Sequence, residues 1–220
     1  MKKKLLKEIT LGLIIASLCL IVGLTILVHF HPVLDFDVRI SKDLQSNTDG
    51  LNETFAFYVL SFVSFLGRTT VAVWIILGAS LIFWLQKYYW ETLFCLLTSL
   101  SALINSGFKF LIGRPRPDMN LVNILDHEIS PSYPSGHVVF FTVFFGFLIA
   151  AMFFTKKIPR LMRVFIASTS GALIILVSLS RIYLGAHWLT DVIAGYLLGI
   201  VLLSILLYFY LRDYLNRAKV

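Results

Sequence analysis

Hydrophobic residues follow one another along this chain in runs that are too long for the elements of a soluble domain. Several runs approach the 20 or so apolar residues that a helix needs to cross the hydrocarbon core of a bilayer. The predicted spans are residues 8–30, 68–86, 90–112, 137–155, 162–180 and 188–210. The pattern therefore predicts an all-α integral membrane protein that is built as a six-helix bundle.

Two segments between the first and second spans depart from this pattern. Residues 51–66 are apolar, but at roughly 16 residues they are shorter than a full span. We expect a short interfacial or re-entrant helix there. Residues 31–50 form the most polar part of the chain, and we expect an outer loop.

The composition agrees with a membrane protein and changes how the charge is interpreted. The 220 residues are 58% hydrophobic and only 14% charged, with a mean hydropathy of +0.86. This excludes an ordinary soluble domain. The net charge of +7 does not indicate a nucleic-acid partner, because basic residues in a membrane protein first report topology. We expect one membrane-embedded domain over residues 1–220, and its oligomeric state stays open.

The positions of the basic residues test the number of spans. With six spans, twelve of the 19 lysines and arginines fall on the side of the two termini and seven on the other side. A further span at residues 51–66 would make the split nearly even. The positive-inside rule therefore favours six spans in the cell membrane, with both termini cytoplasmic. It also places the loops 113–136 and 181–187 together on the outer face.

Three polar clusters lie at helix ends on that same face, and the first is basic. Lys109 ends a span, and Arg116 follows in a loop that Pro115 and Pro117 stiffen. Arginine can bind two phosphate oxygens at once, and lysine supplies a point charge. Arg114 is a spare cation that either faces water or assists binding. The alternative for the whole cluster is a snorkelling lysine followed by a solvated loop.

The second cluster, Pro131 to His137, runs directly into an apolar helix. Ser135 is a favourable N-cap residue, and Gly136 lets a ligand approach the backbone. The free amides of the first helical turn attract an anion, beside which His137 could protonate a leaving oxygen. The alternative is an ordinary capped helix with an interfacial histidine.

The third cluster, Ser180 to Asp191, places His187 four residues before Asp191, so that a helix puts both side chains on one face. An aspartate that accepts the Nδ1 proton leaves Nε2 free to attack. Arg181 is a candidate anion clamp. A hydrogen-bonded structural pair is the alternative, but a carboxylate inside a membrane helix is costly and by default marks function.

Together the clusters resemble the type 2 phosphatidic acid phosphatase superfamily, also called the lipid phosphate phosphatases. The family patterns Lys-x6-Arg-Pro, Pro-Ser-Gly-His and Ser-Arg-x5-His-x3-Asp all occur, in that order, within residues 109–191. The resemblance implies a phosphohistidine mechanism with no cofactor and no metal. The implied catalytic residues are His187 as nucleophile, Asp191 as the residue that orients the ring of His187, and His137 as acid. The implied phosphate-binding residues are Lys109, Arg116, Ser135, Gly136 and Arg181.

The resemblance implies a phosphatase that acts on a lipid phosphate or pyrophosphate in the bilayer. Undecaprenyl pyrophosphate, phosphatidylglycerophosphate and phosphatidic acid all stay open as substrates. A lipid phosphotransferase, or a non-catalytic lipid-phosphate binder or transporter, is the alternative, whereas the spans argue against the soluble haloperoxidases of the superfamily. The loop 118–133 is expected to shape headgroup choice, with no residue assigned. Gly195 and Gly199 form a small-residue pair that favours close helix packing.

Overall fold

A computed structural model describes residues 2–46 and 54–217 of the chain, and this part forms nine helices. The helices are α1 (Lys2–Phe30), α2 (Asp35–Gln45), α3 (Phe55–Leu66), α4 (Thr69–Leu85), α5 (Tyr89–Leu97), α6 (Leu100–Ile112), α7 (Gly136–Phe154), α8 (Arg160–Tyr183) and α9 (Leu189–Arg217). The predicted all-α membrane fold is confirmed. Of the predicted spans, 90–112 is divided into α5 and α6 by a tight turn at Thr98 and Ser99.

The segment between α1 and α4 is more helical than the sequence suggested. Within the described residues, five segments are individually long and apolar enough to cross a membrane, and the bent pair α3 and α4 supplies a sixth. The two helices of this pair meet at an angle of 69° around Gly67 and Arg68. The outer loop expected over residues 31–50 was wrong, because residues 35–45 form α2. Residues 47–53, part of both predicted segments, lie outside the described residues.

The core of the bundle is α7, which packs against α8 and α9 and is buried along much of its length. Gly195 and Gly199 on α9 confirm the predicted close packing. A Cβ on residue 195 would lie 2.9 Å from Cβ of Val138, and one on residue 199 would lie 2.7 Å from Cβ of Thr142. The small residues therefore let the two backbones approach at the level where α7 begins.

The phenylalanines of α7 fill this core. Phe141, Phe144 and Phe145 are at most 7% exposed, and their rings contact one another and the ring of Phe140. Only Phe140 among these four also borders the cavity described below. Core packing therefore explains most of these phenylalanines, since each aromatic ring buries a large apolar area.

The connections divide the bundle into two ends. Thr25, near the end of α1, contacts Tyr133 in the loop before α7, and α9 begins beside the same loop. We call this the motif end, because the three polar clusters lie there. At the other end, Tyr210 near the end of α9 contacts Glu91 at the start of α5. Helix α1 therefore begins, and α9 ends, at the end opposite the clusters.

Candidate active site

His187 and Asp191 lie at the start of α9 and are enclosed by protein, with exposures of 1% and 0%. Nδ1 of His187 lies 3.5 Å from Oδ2 of Asp191, which is long for a hydrogen bond. The hydroxyl of Ser132 donates to Oδ2 of Asp191 and lies 3.3 Å from Nδ1 of His187. Ser132, which the sequence pattern did not single out, therefore completes the contact between the two predicted residues.

The surroundings of His187 favour a neutral ring with its proton on Nδ1. An N–H group of Arg116 lies 3.3 Å from Nε2, and because guanidinium only donates, Nε2 is the acceptor. Burial lowers the pKa of His187 well below its ordinary value of 6.5, and the positive charges of Arg116, Arg181 and Lys109 lower it further. A neutral imidazole with a lone pair on Nε2 is the form that can act as a nucleophile.

His137 lies in the first turn of α7 and presents its other ring nitrogen to the site. Nε2 donates to the carbonyl of Ser64 at 3.1 Å, which leaves Nδ1 facing Glu128 at 3.8 Å. Gly67 makes room for the ring, because a Cβ on residue 67 would lie 2.2 Å from Cδ2 of His137. The break between α3 and α4 therefore both accommodates this histidine and fixes its tautomer.

Two arginines and one carboxylate join the two histidines. Arg116, which contacts His187, donates to Oε2 of Glu128 at 2.7 Å. Arg181, buried at the end of α8, donates to Oε1 of Glu128 at 2.5 Å. Each oxygen of Glu128 thus faces one guanidinium group, an arrangement that two oxygens of a phosphate would also satisfy.

Arg181 has a second acidic partner in the same loop. It donates to Oδ2 of Asp126 at 2.8 Å, and the hydroxyl of Ser64 donates to the same oxygen. Burial raises the pKa of Asp126, but the charge of Arg181 and the hydrogen bonds from Arg181 and Ser64 outweigh it and hold the pKa below its ordinary value. Asp126 is therefore ionised at neutral pH and fixes Arg181 in place.

The remaining predicted anion ligands differ in how many hydrogen bonds their side chains already make within the protein. Nζ of Lys109 donates to the carbonyl of Pro131 at 2.5 Å and to Ser130 at 3.2 Å. Ser135 is the N-cap residue of α7, as predicted, but its side chain makes no capping hydrogen bond. Within the described residues, buried Oγ of Ser135 and Nε of Arg181 have no hydrogen-bond partner. Unpartnered buried donors are costly, so both groups are suited to an incoming anion.

Arg114 is not the spare cation that the sequence suggested. Its side chain is fully buried and donates to Oδ1 of Asp191 at 2.5 Å and to Asp37 at 2.8 Å. Asp37 also accepts hydrogen bonds from the amide and the hydroxyl of Thr190, at 2.9 and 2.6 Å. Arg114 thus holds one oxygen of Asp191, while Ser132 holds the other.

Helix α2 supplies buried polar side chains that support the site. Asp37, Ser41 and Gln45 lie at positions i, i+4 and i+8, and all three are buried. Gln45 donates to the carbonyls of Asn123 and Tyr183, at 2.8 and 2.9 Å, and so ties the loop before α7 to the end of α8. Three polar residues at helical spacing were the signal that could have revealed this helix in the sequence.

The turn after α8 brings His187 to Arg116. Gly185 has φ +66°, and a Cβ there would lie 2.1 Å from the carbonyl oxygen of Asn123. Only glycine fits this combination of conformation and close approach. The neighbouring carbonyl of Ala186 accepts a hydrogen bond from Arg116 at 2.6 Å.

A cavity of about 530 Å³ opens beside the charged cluster. Its polar part is bordered by Lys109, Glu128 and His137. It continues among apolar side chains of α4 and α7, namely Ala72, Val73, Ile76, Val139 and Phe140. The site therefore has a charged head region and an apolar extension.

The structure brings all eight residues of the three predicted clusters to the motif end. They are His187, His137, Asp191, Lys109, Arg116, Ser135, Gly136 and Arg181. The sequence analysis assigned no role to most of the side chains that connect them, and it named Arg114 only as a spare cation. The connecting side chains are Asp37, Ser64, Arg114, Asp126, Glu128 and Ser132.

Comparison with known proteins agrees with this geometry. A family model of the PAP2 superfamily matches residues 88–215, which is more than half of the chain and includes all three polar clusters. This chain belongs to the PAP2 superfamily. It is a phosphoric ester hydrolase of that superfamily, embedded in a membrane by several helices.

Individual relatives support the PAP2 assignment. The chain is 32% identical over 183 residues to phosphatidylglycerophosphatase B of Bacillus subtilis, covering 80% of this chain and 83% of that protein. It is 34% identical over 104 residues to an undecaprenyl-diphosphatase of Sulfolobus acidocaldarius, covering 46% of this chain and 45% of the other. A crystal structure of a transmembrane PAP2-type phosphatidylglycerolphosphate phosphatase from Bacillus subtilis superimposes with a TM-score of 0.75. That match has 28% identity and covers 89% of this chain and 94% of the other.

Proposed function

We propose that this PAP2 protein hydrolyses the terminal phosphate of a lipid phosphate or lipid pyrophosphate through a phosphohistidine intermediate. The observation that carries the proposal is the neutral His187. Its Nε2 lies 3.3 Å from an N–H group of Arg116, and Glu128, which pairs with both Arg116 and Arg181, borders a cavity that continues among apolar side chains. Phosphoryl transfer needs positioning and neutralisation of oxygen charge more than it needs covalent chemistry from the protein. Arg116, Arg181 and Lys109 supply that neutralisation.

In the first step, Nε2 of His187 attacks phosphorus, an N–P bond forms and the P–O bond to the lipid breaks. Protonated His137 gives its Nδ1 proton to the leaving lipid oxygen. Asp191 and Ser132 stabilise the Nδ1–H of His187 as the ring becomes positively charged, in the manner of the aspartate in a catalytic triad.

In the second step, a water molecule attacks phosphorus and His137 accepts a proton from it. The N–P bond breaks, orthophosphate leaves and His187 returns to its neutral form. The hydroxyl of Ser135 and the first-turn amides of α7 face the phosphate oxygens, because a helix N-terminus favours negative charge.

The shape of the cavity supports an amphipathic substrate. The phosphate binds in the charged region, and the chain of the lipid extends among the apolar residues of α4 and α7. Relatives of this chain are named for phosphatidylglycerophosphate and for undecaprenyl diphosphate. We propose these two classes and phosphatidic acid as the substrates to test.

The proposal is tested with purified protein in detergent and a panel of these three lipids. We expect orthophosphate release with at least one lipid, unchanged by a chelator of divalent metals. Replacement of His187→Ala should abolish turnover and trapping of ³²P on the protein. Asp191→Asn should leave a small residue of activity, because the nucleophile is still present while its orientation and the stabilisation of its positive charge are weakened.

Three results would argue against the proposal. Full activity of His187→Ala would exclude it as the nucleophile. Loss of activity with chelator would contradict the metal-free mechanism. Transfer of phosphate to a lipid or sugar acceptor in preference to water would identify a phosphotransferase instead.

A further inference from the structure

We propose that Glu128 is a specificity-determining residue. In the free protein its carboxylate occupies the position of the substrate phosphate and competes for Arg116 and Arg181. This inference rests on the proposed function, because it assumes that these arginines bind the phosphate. Glu128 then selects phosphate groups that carry two negative charges over those that carry one.

The geometry places Glu128 where the phosphate has to bind. Its two oxygens accept from Arg116 at 2.7 Å and from Arg181 at 2.5 Å, and Oε1 lies 3.8 Å from Nδ1 of His137. A phosphate within reach of both His187 and His137 needs these same guanidinium donors. Substrate and Glu128 therefore exclude each other from the site.

The surroundings of Glu128 let it leave. Its side chain is 26% exposed, whereas that of Arg181 is fully buried. The neighbouring residues His127 and Ile129 are exposed, so no apolar anchor holds this part of the loop in the protein. Rotation of Glu128 towards water therefore uncovers little apolar surface, and its hydration replaces the lost ion pairs.

The charge of the incoming group decides whether the exchange is favourable. A phosphomonoester carries roughly −1.5 to −2 at neutral pH and offers three strong acceptor oxygens. It therefore binds the two arginines more strongly than a carboxylate with a single charge. A phosphodiester carries one charge and two free oxygens, like the carboxylate, and gains nothing by displacing it. Glu128 thus excludes the phosphodiester headgroups of ordinary bilayer lipids, which surround the site in excess.

The experiment compares two soluble inhibitors of lipid phosphate hydrolysis, orthophosphate and dimethyl phosphate. For the unmodified protein we expect competitive inhibition by orthophosphate and little inhibition by dimethyl phosphate. In Glu128→Gln the competing charge is removed, so both anions should bind more tightly. We expect the inhibition constant of dimethyl phosphate to fall more than that of orthophosphate. The expected fall is about tenfold, which equals about 1.4 kcal/mol of binding free energy.

Asp118→Asn is the matched control. Asp118 belongs to the same loop and is exposed, and its side chain accepts hydrogen bonds from Asn120 within the loop. The substitution removes the same charge at a position that does not contact the arginines, so the inhibition constants of this variant should equal those of the unmodified protein. A fall of equal size in both variants would show a general charge effect and overturn the proposal.

Binding is also measured without turnover, from the rise in Tm that each anion produces. Tighter anion binding by Glu128→Gln and by Glu128→Ala supports the proposal, and unchanged or weaker binding in both contradicts it. Absence of lipid phosphate hydrolysis by the unmodified protein is a separate result that contradicts the proposed function. The Tm measurement still decides the role of Glu128 in that case.

Discussion

At the scale of single residues, the two histidines differ in the ring nitrogen that each turns towards the site. His187 presents Nε2, because Ser132 and Asp191 lie at its Nδ1. His137 presents Nδ1, because Ser64 accepts from its Nε2. The tautomer of a histidine is set by the partner of its other nitrogen. For His137 that partner lies 73 residues away in the chain, a distance at which no sequence spacing could reveal it.

The opposite roles of these histidines predict the dependence of kcat/KM on pH. His187 must be neutral to attack, and burial together with nearby cations keeps its pKa well below 6.5. Protonation of His187 should therefore reduce the rate only at pH values below 6.5, which sets the acid limb. His137 must carry a proton to act as acid, so the rate should fall again once the pH is high enough to deprotonate it, which gives a bell-shaped profile.

The measurement is kcat/KM across acidic to alkaline pH for a phosphomonoester and for a pyrophosphate lipid. Because the two substrates titrate differently, a limb that belongs to the protein stays at the same pH for both. An acid limb at or above pH 6.5, or a flat profile, would contradict the assignment of a neutral His187 and a protonated His137.

At the scale of the helices, hydropathy predicted the long elements and failed for α2. A membrane span is recognised from the hydropathy of many residues together, so a single polar side chain does not prevent its prediction. Helix α2 instead buries a polar face, with Asp37 held by Arg114 and Thr190. A search for apolar periodicity passes over such a helix, since its partners are hydrogen-bonding groups and charges.

The burial of Asp37 predicts that α2 contributes to catalysis without touching the substrate. Asp37→Asn leaves Arg114 with less negative charge around it and loosens its hold on Asp191. We expect a lower Tm, since weakening a buried ion pair is destabilising. We also expect kcat to fall about tenfold, the equivalent of about 1.4 kcal/mol in the barrier, with KM unchanged because the phosphate ligands stay in place.

Asp43→Asn is the control on the same helix, because Asp43 is exposed and its substitution removes the same charge. It should match the unmodified protein in Tm and in kcat. If Asp37→Asn lowers kcat and also raises KM, the substitution disrupts the site as a whole, which would contradict a positioning role.

At the scale of the whole molecule, the sequence predicted which residues converge and missed how their charges are balanced. Short motifs at helix ends suffice to bring Lys109, Arg116, His137 and His187 together once the spans are known. The acidic partners Asp126 and Glu128 lie in an irregular loop, where neither periodicity nor a motif marks a position. Loops carry binding groups on a rigid scaffold, and their conformation depends on contacts that are distant in sequence.

The separation of the two ends predicts how the protein lies in the membrane. Lys87 and Lys156 lie in connections at the end opposite the site, and Arg163 lies in the first turn of α8 at that same end. Lys157 contacts Tyr88 there, and Arg163 donates to the carbonyl of Met152 near the end of α7. The positive-inside rule places that end in the cytoplasm, so we propose that the site opens on the outer face. Single cysteines in a Cys19→Ser background test this, since Cys95 is buried.

The informative positions are Asn120→Cys at the motif end and Lys156→Cys at the other, because both residues are exposed. On intact cells a membrane-impermeant maleimide should label the first and not the second, and after permeabilisation both should react. The reverse pattern would place the site in the cytoplasm, so that any substrate would have to reach it from the inner leaflet. Retained phosphatase activity in both variants shows that the labelled protein has its native fold.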